Sequence, residues 1–72
     1  MTIDEFKKNI APFMRKGYVA MNQDGLYCYY RRYKPILDIL TWTNPNGDYI
    51  ELSCFDIEPA RDWTRSLIKV GK

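Results

Sequence analysis

The chain opens on a helical pattern. Ile3, Phe6, Ile10 and Phe13 recur at spacings of three and four, one stripe along a helix. Thr2-Ile3-Asp4-Glu5 stands at its start as a capping box. The Thr2 hydroxyl accepts from the Glu5 amide, and the Glu5 carboxylate reaches back to the Thr2 amide. Pro12 has no amide hydrogen and clashes with the carbonyl four residues earlier. The pattern therefore predicts a helix over 3–11, a bent turn towards Lys16, and Gly17 as the stop. Lys7, Lys8, Arg15 and Lys16 fall off the apolar stripe and read as a solvated face.

The period then changes to two. Residues 18–23 and 26–33 read as strands, because aromatic and β-branched side chains suit a pleated surface. Asp24-Gly25 between them signals a two-residue type I′ turn with positive φ at both positions. Centred there, the turn pairs Met21 with Cys28 and Val19 with Tyr30. Alternation then puts Val19, Met21, Cys28 and Tyr30 on one face, and Tyr18, Tyr27, Tyr29, Arg31 and Tyr33 on the other. Pro35 biases Lys34 away from helix, so the second strand turns there. Residues 36–43 predict a third strand, Asn44-Pro45-Asn46-Gly47 a turn, and residues 48–55 a fourth strand. Leu37, Ile39 and Thr41 then align with Ile50, Leu52 and Cys54, while Leu40 and Trp42 align with Tyr49. Pro59 suits a first helical position, with Glu58 before it. Ala60, Trp63, Leu67 and Val70 form the stripe of a second helix that ends at Gly71.

The predicted fold is α+β, one small domain over 1–72: an N-terminal helix, a four-stranded antiparallel meander and a C-terminal helix (αββββα). Two helices of this kind, about 14–16 Å long, fit side by side on the aliphatic face. That leaves the opposite face, rich in tyrosine, uncovered. Monomers rarely expose a large apolar patch without binding something there, and Tyr, Trp and Arg are the residue types enriched in interface hot spots. The alternative is one helix on each face, which turns the same residues into core.

Composition narrows the class. With 46% hydrophobic and 15% aromatic residues in 72, the chain is no disordered tail. The net charge of +2 is unevenly placed: residues 1–36 carry seven basic and three acidic groups, residues 37–72 four and six. Such a polar molecule docks by charge complementarity. Asp4, Glu5, Lys7, Lys8 and Asn9 interrupt any signal-peptide core, and no apolar run nears the ~20 residues of a membrane span. A complete, soluble, cytoplasmic product with no membrane partner is expected. Cys28 and Cys54 fall on the second and fourth predicted strands, about 9–10 Å apart by inter-strand spacing. A disulfide needs Cα atoms within about 7 Å, so free thiols are expected.

Histidine is absent, which removes the commonest general base, the usual nucleophile pairs and the usual zinc sites. The carboxylate pairs Asp48/Glu51 and Asp56/Glu58 sit near turns, where they act as caps. The four glycines are scattered, so no loop cradles a phosphate. No cofactor and no enzymatic activity are expected. The expectation is a small binding module of inhibitor or adaptor type, of the kind that phages and mobile elements carry. It would dock through Tyr18, Tyr27, Tyr29, Arg31, Arg32, Tyr33, Lys34, Trp42 and Tyr49. Its partner would be a larger protein with an acidic surface, or a second copy of itself. The alternative is a single-stranded nucleic-acid binder, stacking bases on Tyr27, Tyr29 and Trp42 with Arg31, Arg32 and Lys34 on the backbone.

Overall fold

The computed structural model describes residues 1–44 and 47–71. Both halves of the capping box are made. The Glu5 amide donates to the Thr2 hydroxyl (3.1 Å) and the Thr2 amide to the Glu5 carboxylate (3.0 Å). Helix α1 runs over Ile3–Asn9, and a 3-10 turn over Ala11–Phe13 takes up Pro12. The helix is thus shorter than the sequence pattern predicts. Phe6 is fully buried, but the change of direction at Pro12 turns Phe13 into solvent.

Strands β1 (Gly17–Met21) and β2 (Tyr27–Tyr30) pair antiparallel, as expected, but one residue out of the expected register. The partners are Tyr18 with Tyr30, Val19 with Tyr29, Ala20 with Cys28 and Met21 with Tyr27. The turn explains the slip. Within this turn Gly25 alone takes a positive φ (+86°), and no non-glycine residue among those described does. The Gly25 amide closes a turn on the Asn22 carbonyl (2.9 Å), the Asn22 amide bonds the Leu26 carbonyl (3.0 Å), and the Asp24 carboxylate accepts from the Leu26 amide (2.9 Å). This is a three-residue loop with glycine in the left-handed bulge position, not a two-residue primed turn. A slip of one residue swaps the two faces of a strand.

The later elements depart further from the meander. Residues 36–43 do not form one strand. They fold back as a small separate hairpin, β3 (Ile36–Leu37) with β4 (Trp42–Thr43). The Asp38 carboxylate accepts from the Ile39 amide (2.7 Å), and the Asp38 amide bonds the Thr41 carbonyl (2.8 Å), so the chain reverses where the prediction ran straight. The fourth strand shrinks to β5 (Ile50–Glu51), which pairs with β2 rather than with the third strand. Of the turn predicted at 44–47, Pro45 and Asn46 lie outside the described residues, as does Lys72. The Gly47 amide does bond the Asn44 carbonyl (2.8 Å).

The predicted C-terminal helix is absent. Residues Trp63–Arg65 make a single 3-10 turn capped by Asp62, and β6 (Ile68–Val70) pairs antiparallel with β1. The stripe Ala60, Trp63, Leu67, Val70 satisfies helical spacing. However, Ile68-Lys69-Val70 also alternates, and the open edge of β1 offers backbone partners that a helix would leave unmet. The main sheet has the order β5-β2-β1-β6.

Each sheet face carries a hydrophobic cluster. Val19, Met21, Tyr27 and Tyr29 pack with Phe6, Leu52, Ile57 and Val70 beneath α1. On the other face Ala20, Cys28 and Tyr30 pack with Trp42, flanked by Tyr18, Leu26 and Leu67. Ser66 is the buried polar side chain that ties the C-terminal segment to β1. Its hydroxyl accepts from the Met21 amide (2.7 Å) and lies 2.7 Å from the Trp63 carbonyl, to which it donates.

Candidate functional site

The expected exposed aromatic face does not form. Tyr27, Tyr29 and Trp42 are buried, because the register slip sends Tyr27 and Tyr29 to the side of Val19 and Met21. Both faces are covered, but not by one helix each as the alternative has it: α1 lies on one side, and Trp42 and Leu67 cover the other. The Tyr29 hydroxyl donates to the Arg15 carbonyl (3.1 Å), and Tyr30 to the Trp42 carbonyl (3.4 Å). The Tyr27 hydroxyl lies near the Ala60 amide without reaching hydrogen-bond geometry, and that amide donates instead to the Met21 sulfur (3.2 Å). Burial raises the phenol of Tyr27 and pushes that of Tyr30 up to about 12. These rings are core, and they cannot stack on a base or a partner side chain in this fold.

The rest of the expected site stays accessible. Arg31, Arg32, Tyr33 and Lys34 lie exposed between β2 and β3, and Tyr49 is exposed just before β5, its ring 6.1 Å from that of Tyr30. Arg31 pairs with Asp48 at 3.5 Å. Tyr18 is half-buried on the cluster of Trp42.

Two surfaces emerge. The first is the β3–β4 hairpin. Its tip is strongly apolar yet wet: Ile36, Leu37, Ile39 and Leu40 are 60%, 43%, 86% and 72% exposed. Its base, by contrast, is clamped. The Asn22 side-chain carbonyl accepts from the Trp42 amide (3.0 Å) and the Thr41 hydroxyl (2.7 Å), and the buried Trp42 ring donates its indole N–H to the Trp63 carbonyl (3.0 Å). The tip is therefore held out from an ordered anchor. In the sequence the same run predicts one straight strand, with Leu37 and Ile39 on the core face and Leu40 on the open one. The signal that could have separated the two is Asp38, a turn residue in the middle of the run.

The second surface is a groove of about 140 Å³ lined by Lys16, Gly17, Tyr18, Arg31, Arg32 and Lys69. It adjoins a hollow of about 310 Å³ that shares Tyr18 and Lys69 and adds Lys34, Leu67 and Ile68. Cross-strand pairing builds it. Lys69 and Tyr30 both face Tyr18, one from β6 and one from β2. Directly opposed residues share a face, so the three form a row across the sheet. Arg31 and Arg32 are legible in the sequence as part of a site, whereas Lys16 falls there on a solvated face.

The chemistry of the buried groups is quiet. Burial, then Glu51 and Asp24, raises the Cys28 thiol, which makes it a poor nucleophile. Cys28 and Cys54 are both free, the first buried and the second exposed, so they do not share the aliphatic face predicted for them. Among the described residues no three His, Cys, Asp or Glu side chains gather to hold a metal, and no helix is long and apolar enough to cross a membrane. Comparison with protein-family models, with curated protein sequences and with solved structures gives no match. The functional reading rests on the surfaces themselves.

Proposed function

We propose that this protein is a small non-enzymatic binding module that acts in the cytoplasm as an inhibitor or adaptor. Its contact is the β3–β4 tip, seated in an apolar cleft of a larger protein. The observation that carries this reading is four aliphatic side chains within five residues, all solvated, on a hairpin fixed at its base. Solvated apolar surface of this kind is what partner binding relieves. A fixed base lowers the ordering cost of docking. Arg31, Arg32 and Lys34 precede the hairpin in the chain, and they favour a cleft with an acidic rim. A projecting tip suits a cleft better than a second tip, since a two-fold dimer needs a self-complementary patch.

The test compares the native protein with Ile39→Asp/Leu40→Asp by sedimentation, alone and in nuclease-treated host extract. A native monomer that enters a larger complex, with the variant left behind, supports the reading. A native dimer that the variant dissolves would assign the tip to self-association. A variant that enters the complex as well as the native protein would remove the tip from the interface.

A further inference from the structure

The basic groove takes in none of the four apolar tip residues, though it shares Arg31 and Arg32 with the basic stretch proposed to face an acidic rim, and it has a composition of its own. Lys16, Arg31, Arg32 and Lys69 converge on one concave site of about 140 Å³ from three separate parts of the chain. Among the described residues only Arg31 of these four has an acidic partner, Asp48. Four like charges brought together repel one another, and an anion relieves that repulsion. Adjacent arginines offer planar forks that match phosphate oxygens bidentately, and the lysines add compact charges.

The neighbouring hollow differs in kind. Leu67 gives it an apolar side, Tyr18 and Lys69 line both compartments, and Lys34 adds a further cation, while the Ile68 side chain packs on the other face of the sheet. A charged compartment joined through an aromatic ring to one with an apolar side and cations of its own matches a base flanked by phosphates.

We propose that this groove binds nucleotide units of a single strand, with phosphate held by Lys16, Arg31, Arg32 and Lys69 and the base against Tyr18 and Leu67. The buried Tyr27, Tyr29 and Trp42 take no part. The platform is a single partly covered tyrosine, so each protein holds few nucleotides. Phosphate contacts dominate affinity, and binding falls steeply with salt.

The test is fluorescence anisotropy of a labelled eight-residue oligothymidylate at low and moderate salt. Competitors are unlabelled oligonucleotide, a thymidine mononucleotide, inorganic phosphate, polyglutamate and a phosphotyrosine peptide. Saturable binding is expected, with oligonucleotide the strongest competitor. Arg32→Gln with Lys16→Gln removes two phosphate contacts, so the slope of log affinity against log salt should fall by about 1.4. Tyr18→Leu keeps charge and apolar bulk but removes the stacking ring, and should weaken binding at least about fivefold. Thermal unfolding of each variant confirms a folded protein, and Arg61→Gln serves as a control outside the groove. The proposal fails if the double variant binds as the native protein does. It fails also if polyglutamate competes equally while Tyr18→Leu changes nothing, which would mean diffuse attraction of polyanions. Tighter competition by the phosphotyrosine peptide would reassign the ligand, and mononucleotide competing as well as the strand would restrict it to free nucleotides.

Discussion

The indole N–H of Trp42 donates to the backbone carbonyl of Trp63 at 3.0 Å. This bond joins the β3–β4 hairpin to the 3-10 turn ahead of β6, two segments that share no strand pairing. Trp63 packs against both hydrophobic clusters, so the bond ends on a residue already fixed from two sides. Replacing Trp42 by Ala should cost about 3–5 kcal/mol, the usual range for emptying a buried aromatic site. Adding Tyr29→Ala should abolish cooperative unfolding, since a domain of this size has about 5–10 kcal/mol in all. Urea titration followed by circular dichroism measures both. A double variant within about 1 kcal/mol of the native protein would return these rings to the surface.

Ser66 makes a sharper test because it is small. Its hydroxyl is the acceptor for the Met21 amide at the end of β1. Ser66→Ala leaves that amide buried and unmet, which should cost about 1–3 kcal/mol. Hydrogen exchange at the Met21 amide should speed up more than exchange at Val19, which lies within the paired strands.

The turn can be tested through Gly25 and its neighbour in sequence. Gly25→Ala forces a side chain into positive φ, at about 1–2 kcal/mol. Asp24→Gly should cost less, because Asp24 already takes negative φ and loses only its bond to the Leu26 amide. In a two-residue primed turn the Asp24→Gly change would instead stabilise. Cross-strand nuclear Overhauser contacts between Val19 and Tyr29, rather than Val19 and Tyr30, report the register directly.

Alkaline pH should unfold the protein through its phenols. The Tyr30 pKa lies near 12 in the folded state against about 10 in an open chain. Folding therefore favours the neutral phenol, and its stabilisation is intact below pH 10. It is lost as pH climbs from about 10 to 12, by up to about 2–3 kcal/mol from Tyr30 alone. Tyr27 adds in the same direction. Tyr30→Phe should flatten this alkaline limb while the limb of the native protein stays steep. Equal limbs would mean that Tyr30 ionises freely in the fold.

How far the sequence carried these features depends on the range of the forces behind them. The capping box at Thr2 and Glu5 and the break at Pro12 are decided within a few residues, and both were legible. The β1–β2 hairpin was legible too, but its facing was not. Asp24-Gly25 supports two turn types, and the choice between them moves Tyr27 and Tyr29 from surface to core. At the C-terminus local spacing pointed to a helix, and the distant edge of β1 overrode it. Arg31 and Arg32 stood out by adjacency. Lys69 joins them only because β6 lies beside β1, a fact no local pattern contains.

The pairing of Gly17 with Val70 also has a kinetic side. A hairpin like β1–β2 closes over a short loop in about 1–10 μs, whereas β6 must be brought in across a far longer loop. The sheet is therefore expected to grow outward from its middle, with the β6 edge of β1 the last to be covered. Refolding should show amides on the β2 side of β1 protected before those on the β6 side. An intermediate caught in that interval could accept a β6 segment from a second molecule, so strand exchange at high concentration is the misfolding route to watch.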